Sequence, residues 1–201
     1  MRGVLIIVSG PSGAGKSALT THALKALPNI KFSVSYTTRP PRGAERSGVE
    51  YFFVSRGEFE SLIAEGEFLE WAEVHGNYYG TSGKFIDALL RQGSDVILDI
   101  DVQGASIVKR KRPETVAVFV LPPSFDTLRE RLLRRGLDDA SVIEKRLRMA
   151  RDEISHYPDY DYLIVNDDLE NAKRELEAII VGARCRMTVR KDTVAAILEH
   201  F

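Results

Sequence analysis

The chain has 201 residues, 44% of them hydrophobic and 28% charged. That is one ordinary domain, or one domain with sizeable insertions, too apolar for disorder and long enough to bury a core without staples. Lys plus Arg is 28 and Asp plus Glu is 29, a net charge of −1, which argues against gripping nucleic acid or an anionic membrane by bulk charge.

The single cysteine, Cys185, removes intrachain disulfides and Cys-rich zinc sites and points to a reducing compartment. No run approaches the roughly 18–20 apolar residues of a membrane helix. The short apolar start is followed by Ser9-Gly10-Pro11-Ser12-Gly13 instead of a cleavage site, so a cytoplasmic location is expected.

Residues 4–8 open the chain as an apolar run without alternation, the pattern of a strand covered on both faces. Gly10-Pro11-Ser12-Gly13-Ala14-Gly15-Lys16-Ser17 follows and matches G-x-x-x-x-G-K-[ST] in full. The glycines let the backbone approach a polyphosphate, and the helix predicted over 17–27 aims its positive end at the same anion. Lys16 is placed for the β/γ-phosphates, and the Ser17 hydroxyl is the natural Mg²⁺ ligand. A nucleoside triphosphate site is expected.

Residues 31–35 read as a further strand. From Tyr36 to about Leu89 the strand–helix rhythm breaks. The loop Arg39-Pro40-Pro41-Arg42-Gly43 leads into a strand-like Tyr51-Phe52-Phe53-Val54 and a helix opened by the capping box Ser55-Arg56-Gly57-Glu58. Residues 68–75 read as a strand, with Gly76-Asn77 as turn residues before Tyr78-Tyr79. Arg39 and Arg42, three apart in a loop that proline stiffens, suit a phosphate dianion, and Tyr51 and Tyr79 could add hydroxyl donors.

Apolar strands recur over 96–100, 116–121 and 162–165, and helical patterns over 124–135, from 141, over 169–187 and over 193–200. Ser124 is a plausible N-cap, Ser141 to Glu144 reads as a capping box, and Ile143, Leu147, Ala150 and Ile154 form one stripe. The whole reads as an α/β core with a mainly parallel sheet flanked by helices, carrying a small α+β insertion. Asp99 and Asp101 end the 96–100 strand, where such sheets bind ligands; either could order Mg²⁺ through water, and one could cap the next helix. The 129–151 segment carries eight bases against four acids, and 55–73 six acids against one base. His22, His75, His156 and His200 show no metal-ligand spacing and read as surface or packing residues; Cys185 reads as a small apolar residue on a late helix.

Taken together, the P-loop, Ser33-Val34-Ser35-Tyr36-Thr37-Thr38-Arg39-Pro40-Pro41-Arg42, Glu70-Trp71 and Gly76-Asn77-Tyr78-Tyr79-Gly80-Thr81 resemble guanylate kinase, a P-loop nucleoside monophosphate kinase family. So do Leu98-Asp99-Ile100-Asp101-Val102-Gln103-Gly104, Arg134-Arg135-Gly136, Lys145-Arg146-Leu147 and Asp161 to Asp167. The resemblance runs in order from about Gly3 to Arg186. It implies a P-loop kinase core over 1–35 and 90–201, a helical lid at about 127–140, and an inserted GMP-binding domain over 36–89. The implied reaction is direct in-line transfer of phosphate from ATP to GMP with Mg²⁺, with dGMP as a further acceptor.

By motif, Arg39, Arg42, Tyr51 and Tyr79 would hold the GMP phosphate, and Ser35, Glu70, Thr81 and Asp99 would face the guanine. Arg135 and Arg146, with Arg131 third, would bridge the phosphates, and Asn166 would lie near the adenine of ATP. Lys16, Arg39, Arg135 and Arg146 would be the catalytic cations. Gly43-Ala44-Glu45 departs slightly from the family's Gly-Glu turn. Glu70 makes chemical sense, because an ionised carboxylate accepts from the adjacent N1–H and N2–H₂ of guanine but repels N1 of adenine. A related small-molecule P-loop kinase and a non-catalytic guanylate-kinase-like binding module are the other readings. Ser35, Glu70 and Thr81 argue against the first, and intact Gly15, Lys16 and Ser17 against the second.

Overall fold

The uninterrupted apolar runs of the sequence form a parallel sheet whose central strands are buried on both faces. The computed structural model describes residues 2–74, 76–134 and 140–199. In chain order, the first elements are β1 (Leu5–Ser9), α1 (Lys16–Ala26), β2 (Ile30–Phe32), β3 (Ser35–Thr37), β4 (Tyr51–Phe53) and α2 (Arg56–Ala64). Next come β5 (Phe68–Val74), β6 (Asn77–Ser82), α3 (Gly83–Arg91), β7 (Asp95–Asp99), α4 (Val102–Lys111) and β8 (Val116–Leu121). The chain closes with α5 (Phe125–Arg134), α6 (Ala140–Ile154), β9 (Tyr162–Val165), α7 (Leu169–Arg184) and α8 (Met187–Leu198).

The larger sheet has five strands in the order β2-β7-β1-β8-β9, and every pairing is parallel. Side chains alternate across it. Ile6, Val8, Ile97, Val118 and Ile164 pack under α1 and α7, while Leu5, Ile7, Val96 and Leu98 pack under α3 and α4. With both faces covered, the central strands β1, β7 and β8 are apolar between their ends, which is why they read without alternation. The smaller sheet, in the order β4-β3-β6-β5, is mixed: β3–β4 is parallel, β3–β6 and β5–β6 antiparallel. Phe59, Phe68 and Tyr78 stack beneath it.

Local signals set several boundaries. Ser55 and Glu58 form the expected reciprocal capping box at α2. Ser124 Oγ accepts from Thr127 N at 3.0 Å at the start of α5. Leu128 and Leu132 of α5 meet Ile143 and Ala150 of α6 in a small cluster of their own, so the apolar stripe of α6 packs as its spacing requires. The Ser141 capping box lies on a side chain outside the described ones.

Three expectations need correction. The single strand over 31–35 is two: Ser33 N makes a bond to Ile97 O at 3.0 Å, and the chain then leaves the large sheet so that Ser35 pairs with Tyr51 in the small one. The last helix begins at Met187, six residues before the apolar pattern suggested, after a break at Cys185 and Arg186. Cys185 is exposed at that break, not packed on a helix face.

Asp95 ties the sheet to the C-terminal helices. Its buried carboxylate accepts from Val4 N at 2.7 Å and from Arg184 Nε at 2.6 Å. Removing it leaves a buried amide and a guanidinium without their acceptor, so Asp95→Ala should cost about 3 kcal/mol in urea unfolding. A loss under about 0.5 kcal/mol, the level of an ordinary surface change, would contradict this role.

Candidate active site

The carboxyl ends of β1 and β7 lie side by side, and the site is built on them. Between β1 and α1 the chain must turn sharply, and glycine permits the turn. Gly10 has φ +133°, and a Cβ there would lie 2.2 Å from Val120 O; Gly15 has φ +101°, and a Cβ there would lie 2.1 Å from Asn166 Nδ2.

Four of the loop's carbonyls are held by the protein. Gly10 O accepts from Lys16 Nζ at 2.7 Å, and Pro11 O from Ala14 N at 3.1 Å. Ala14 O accepts from Asn166 Nδ2 at 2.8 Å and from Arg131 Nη1 at 3.4 Å, and Gly15 O from Ala18 N at 3.1 Å. The amides of Gly13, Gly15, Lys16 and Ser17 have no protein acceptor among the described residues. Four donors at a helix N-terminus make an anion-binding nest.

Beside the nest is a cavity of about 280 Å³ lined by Gly10, Ser12, Lys16, Ser35, Tyr51, Glu70, Tyr79, Asp99 and Asp101, together with Ala72, Val74, Ile100 and Glu153. Nine of the expected site residues therefore meet around one space. Thr81 and Arg39 sit just behind its wall: Thr81 Oγ1 donates to Glu70 Oε1 at 2.5 Å, and the Arg39 guanidinium lies 5.4 Å from the centre of the Tyr51 ring. Strand geometry explains the convergence. Glu70, Ala72 and Val74 alternate along β5 toward the cavity, Glu70 pairs with Thr81 on β6, and Ser35 Oγ on β3 lies 3.5 Å from Thr81 Oγ1.

Glu70 is 5% exposed, and burial pushes its carboxyl up to about 7, against the Thr81 hydroxyl, which favours the ionised form. A Cβ on Gly104 would stand 3.0 Å from Glu70 Oε2, so the glycine leaves this carboxylate its room. Burial likewise raises Asp99, offset by Lys16 Nζ at 3.9 Å. Asp101 divides from Asp99 in role: its Oδ1 accepts from Gly104 N at 2.8 Å and caps α4. Burial also raises the Tyr51 hydroxyl, whose ring meets Tyr79 edge-on at 5.9 Å.

Other expected residues stand elsewhere. Asn166, expected near the adenine, is 3% exposed and gives its carboxamide to the P-loop. Arg131, expected on the phosphates, donates to Ala14 O and, at 2.9 Å, to Asn166 O. Both side chains brace the loop backbone. Arg42 and Ser17 are exposed at the rim, and Arg146 is half-buried on α6. Arg135, His75 and His200 lie outside the described residues. His22 pairs with Glu177 across α1 and α7, and His156 sits 3.6 Å from Asp159; no cluster of metal-ligating side chains occurs among the described residues.

Two residues escaped the sequence reading. Glu153 lines the cavity from α6, where burial and Asp101 raise its carboxyl while Lys16 lowers it. It lies seven residues beyond Arg146, two turns on and on the same helix face, which was the available signal. Glu45 holds Arg39 through both carboxylate oxygens at 3.0 Å. Its signal was an acid three residues past Arg42 in a turn.

The raised Glu70 has a consequence for stability. Its folded pKa of about 7 exceeds the ordinary 4.5, so the folded protein holds this proton more tightly than the unfolded chain. The stabilisation is complete below about pH 4 and disappears as pH rises through about 7. Urea unfolding of the nucleotide-free protein should lose on the order of 3 kcal/mol from this group between pH 4 and 8, relative to Glu70→Gln. A difference between the two proteins that stays constant across that range would contradict it.

The chain is similar to known proteins along nearly its whole length. The family model described as guanylate kinase matches residues 2–183. A guanylate kinase of Alkalilimnicola ehrlichii is 48% identical over 199 residues, 99% of this chain and 98% of that relative. One from Carboxydothermus hydrogenoformans is 50% identical over 185 residues, 92% of this chain and 91% of that relative. The crystal structure of guanylate kinase from Anaplasma phagocytophilum superposes with a TM-score of 0.77 at 35% identity, covering 92% of this chain and 88% of that one.

Proposed function

This chain belongs to the guanylate kinase family, and from that premise we propose that it moves the γ-phosphoryl group of ATP directly to GMP, with the cleft residues in the roles that follow. It is a nucleoside monophosphate kinase, an ATP:GMP phosphotransferase. The observation that carries the reading is the set of four amides at the start of α1 with no acceptor among the described residues, beside a cavity lined by a buried glutamate.

The triphosphate lies on the P-loop from Gly10 to Ser17. The guanine lies against Ser35, Glu70, Thr81 and Asp99, with Glu70 ionised and accepting from N1–H and N2–H₂. Adenine presents an acceptor there and would leave buried polar groups unmatched, which is a strong basis for discrimination. Arg39, Arg42, Tyr51 and Tyr79 take the acceptor's phosphate. Its oxygen is already anionic, so the reaction needs no strong general base and depends on placement and neutralised charge. Lys16, Arg39, Arg146 and Arg135 supply the positive field. Asn166, beside the adenine, and Arg131, beside the phosphates, also keep the loop in shape.

The donor set fits Mg²⁺. Ser17 Oγ and the Asp99 carboxylate are hard oxygen ligands, and the lack of an all-protein cage among the described residues suits an ion that keeps its waters and phosphates. Asp99 is the better water-ordering carboxylate because Asp101 is engaged as a cap. When bound, the ion neutralises charge on the β- and γ-phosphates. dGMP should also be accepted.

The small sheet and α2 within 36–89 form the GMP-binding unit, and α5 with the start of α6, about 127–140, forms the lid. Each carries substrate ligands, and closure of the lid over the phosphates would exclude water. Among the described residues no helix is long and apolar enough to cross a membrane.

A coupled assay with Mg-ATP and each of the four nucleoside monophosphates tests this directly. GMP should be turned over and AMP left nearly untouched; equal turnover would overturn the assignment of Glu70. Lys16→Ala should lower the rate at least about 10²-fold with a native circular dichroism spectrum. Arg42→Ala should raise the KM for GMP about tenfold or more and leave that for ATP within about twofold, as expected of one lost charge-assisted contact. An effect confined to ATP would overturn the division of the two sites.

A further inference from the structure

The Arg39 guanidinium is gripped along one edge. Nη1 donates to Glu45 Oε2 and Nη2 to Glu45 Oε1, both at 3.0 Å, and Nη1 also reaches Pro40 O at 2.8 Å. A guanidinium has five N–H groups in one plane and offers two forks, one between Nη1 and Nη2 and one between Nε and Nη2. Glu45 takes the first. Glu45 does not use the second; the Tyr79 hydroxyl lies against the group and the centre of the Tyr51 ring is 5.4 Å from it, both of them cavity-lining residues. The residue is 7% exposed and its guanidinium also lies 5.8 Å from the centre of the Phe53 ring, so it has little freedom to present any other edge. Glu45 holds the neighbouring main chain as well, since its Oε2 accepts from Arg42 N at 2.8 Å.

We propose that Glu45 is a positioning residue for the acceptor's phosphate: it occupies one fork of Arg39 and the Arg42 amide, and so presents the other fork of Arg39 to a phosphate dianion. This rests on the reading of Arg39 as a phosphate ligand. Two acceptor oxygens are required, because both the Nη1 and the Nη2 contacts are used. Glutamine in the same place could still accept from Arg42 N, but its amide nitrogen would oppose a guanidinium N–H, donor against donor.

Calorimetric titration of GMP, guanosine and ATP into the wild type, Glu45→Gln, Arg39→Ala and the double variant tests this. Glu45→Gln should weaken GMP by about tenfold or more while guanosine and ATP stay within about twofold, because only the phosphate reads the fork. Added to Arg39→Ala, it should weaken GMP by less than about twofold further, since the group it positions is gone. A merely structural turn would be rescued by glutamine, would affect guanosine equally, or would add its full loss to Arg39→Ala; each result overturns the proposal. If Arg39→Ala weakens GMP but Glu45→Gln does not, the role of Glu45 alone fails. If Arg39→Ala leaves GMP binding unchanged, the phosphate-ligand reading of Arg39 fails, and the proposal with it.

Discussion

A loop that binds polyphosphate must point its amides at the ligand, and it can do so only if its carbonyls are satisfied elsewhere. In this protein four carbonyls around the turn have protein donors. Lys16 takes Gly10 O, the loop's own Ala14 amide takes Pro11 O, Asn166 and Arg131 take Ala14 O, and the first turn of α1 takes Gly15 O. Asn166 follows the edge strand β9 and Arg131 comes from α5, so elements distant in sequence converge on four residues of backbone. The parallel sheet makes the convergence possible by bringing β1, β7, β8 and β9 to one carboxyl edge.

Charge is arranged on the same plan. The cavity places Lys16 among Asp99, Asp101 and Glu153, and Asp101 is engaged through Oδ1 on a helix cap. Glu70 is buried deeply enough to resist ionisation, with Thr81 donating to it and Ser35 near at hand. A carboxylate that costs stability where it sits is a sound recognition group, because a guanine edge satisfies it and an adenine edge does not. On the proposed reading, the smaller sheet sets the acceptor and the larger one the donor.

Much of this was readable from residue patterns, because local rules govern it. The P-loop spacing, the Ser55–Glu58 box and the Ser124 cap depend on neighbours within a few residues, and the both-face-buried strands declare themselves by composition. What was not readable depends on distant partners. Nothing local shows that the chain changes sheets after Ser33, since β-rich residues continue across the step. The buried carboxamide of Asn166 looks like any loop asparagine until β9 is seen beside the P-loop. Glu45 looked like a turn residue because its partners are defined only when the loop folds back on Arg39. The role split between Asp99 and Asp101 required the start of α4.

The central claim is that donor and acceptor phosphates meet over one amide cradle and that the phosphoryl group crosses once, without a covalent stop on the protein. Stereochemistry at phosphorus tests it most directly. With ATP carrying a γ-phosphorothioate made chiral by oxygen isotopes, a single in-line displacement onto GMP gives inverted configuration in the product's β-thiophosphate. Retention would mean two displacements through a phosphorylated enzyme and would contradict a shared cradle with direct transfer.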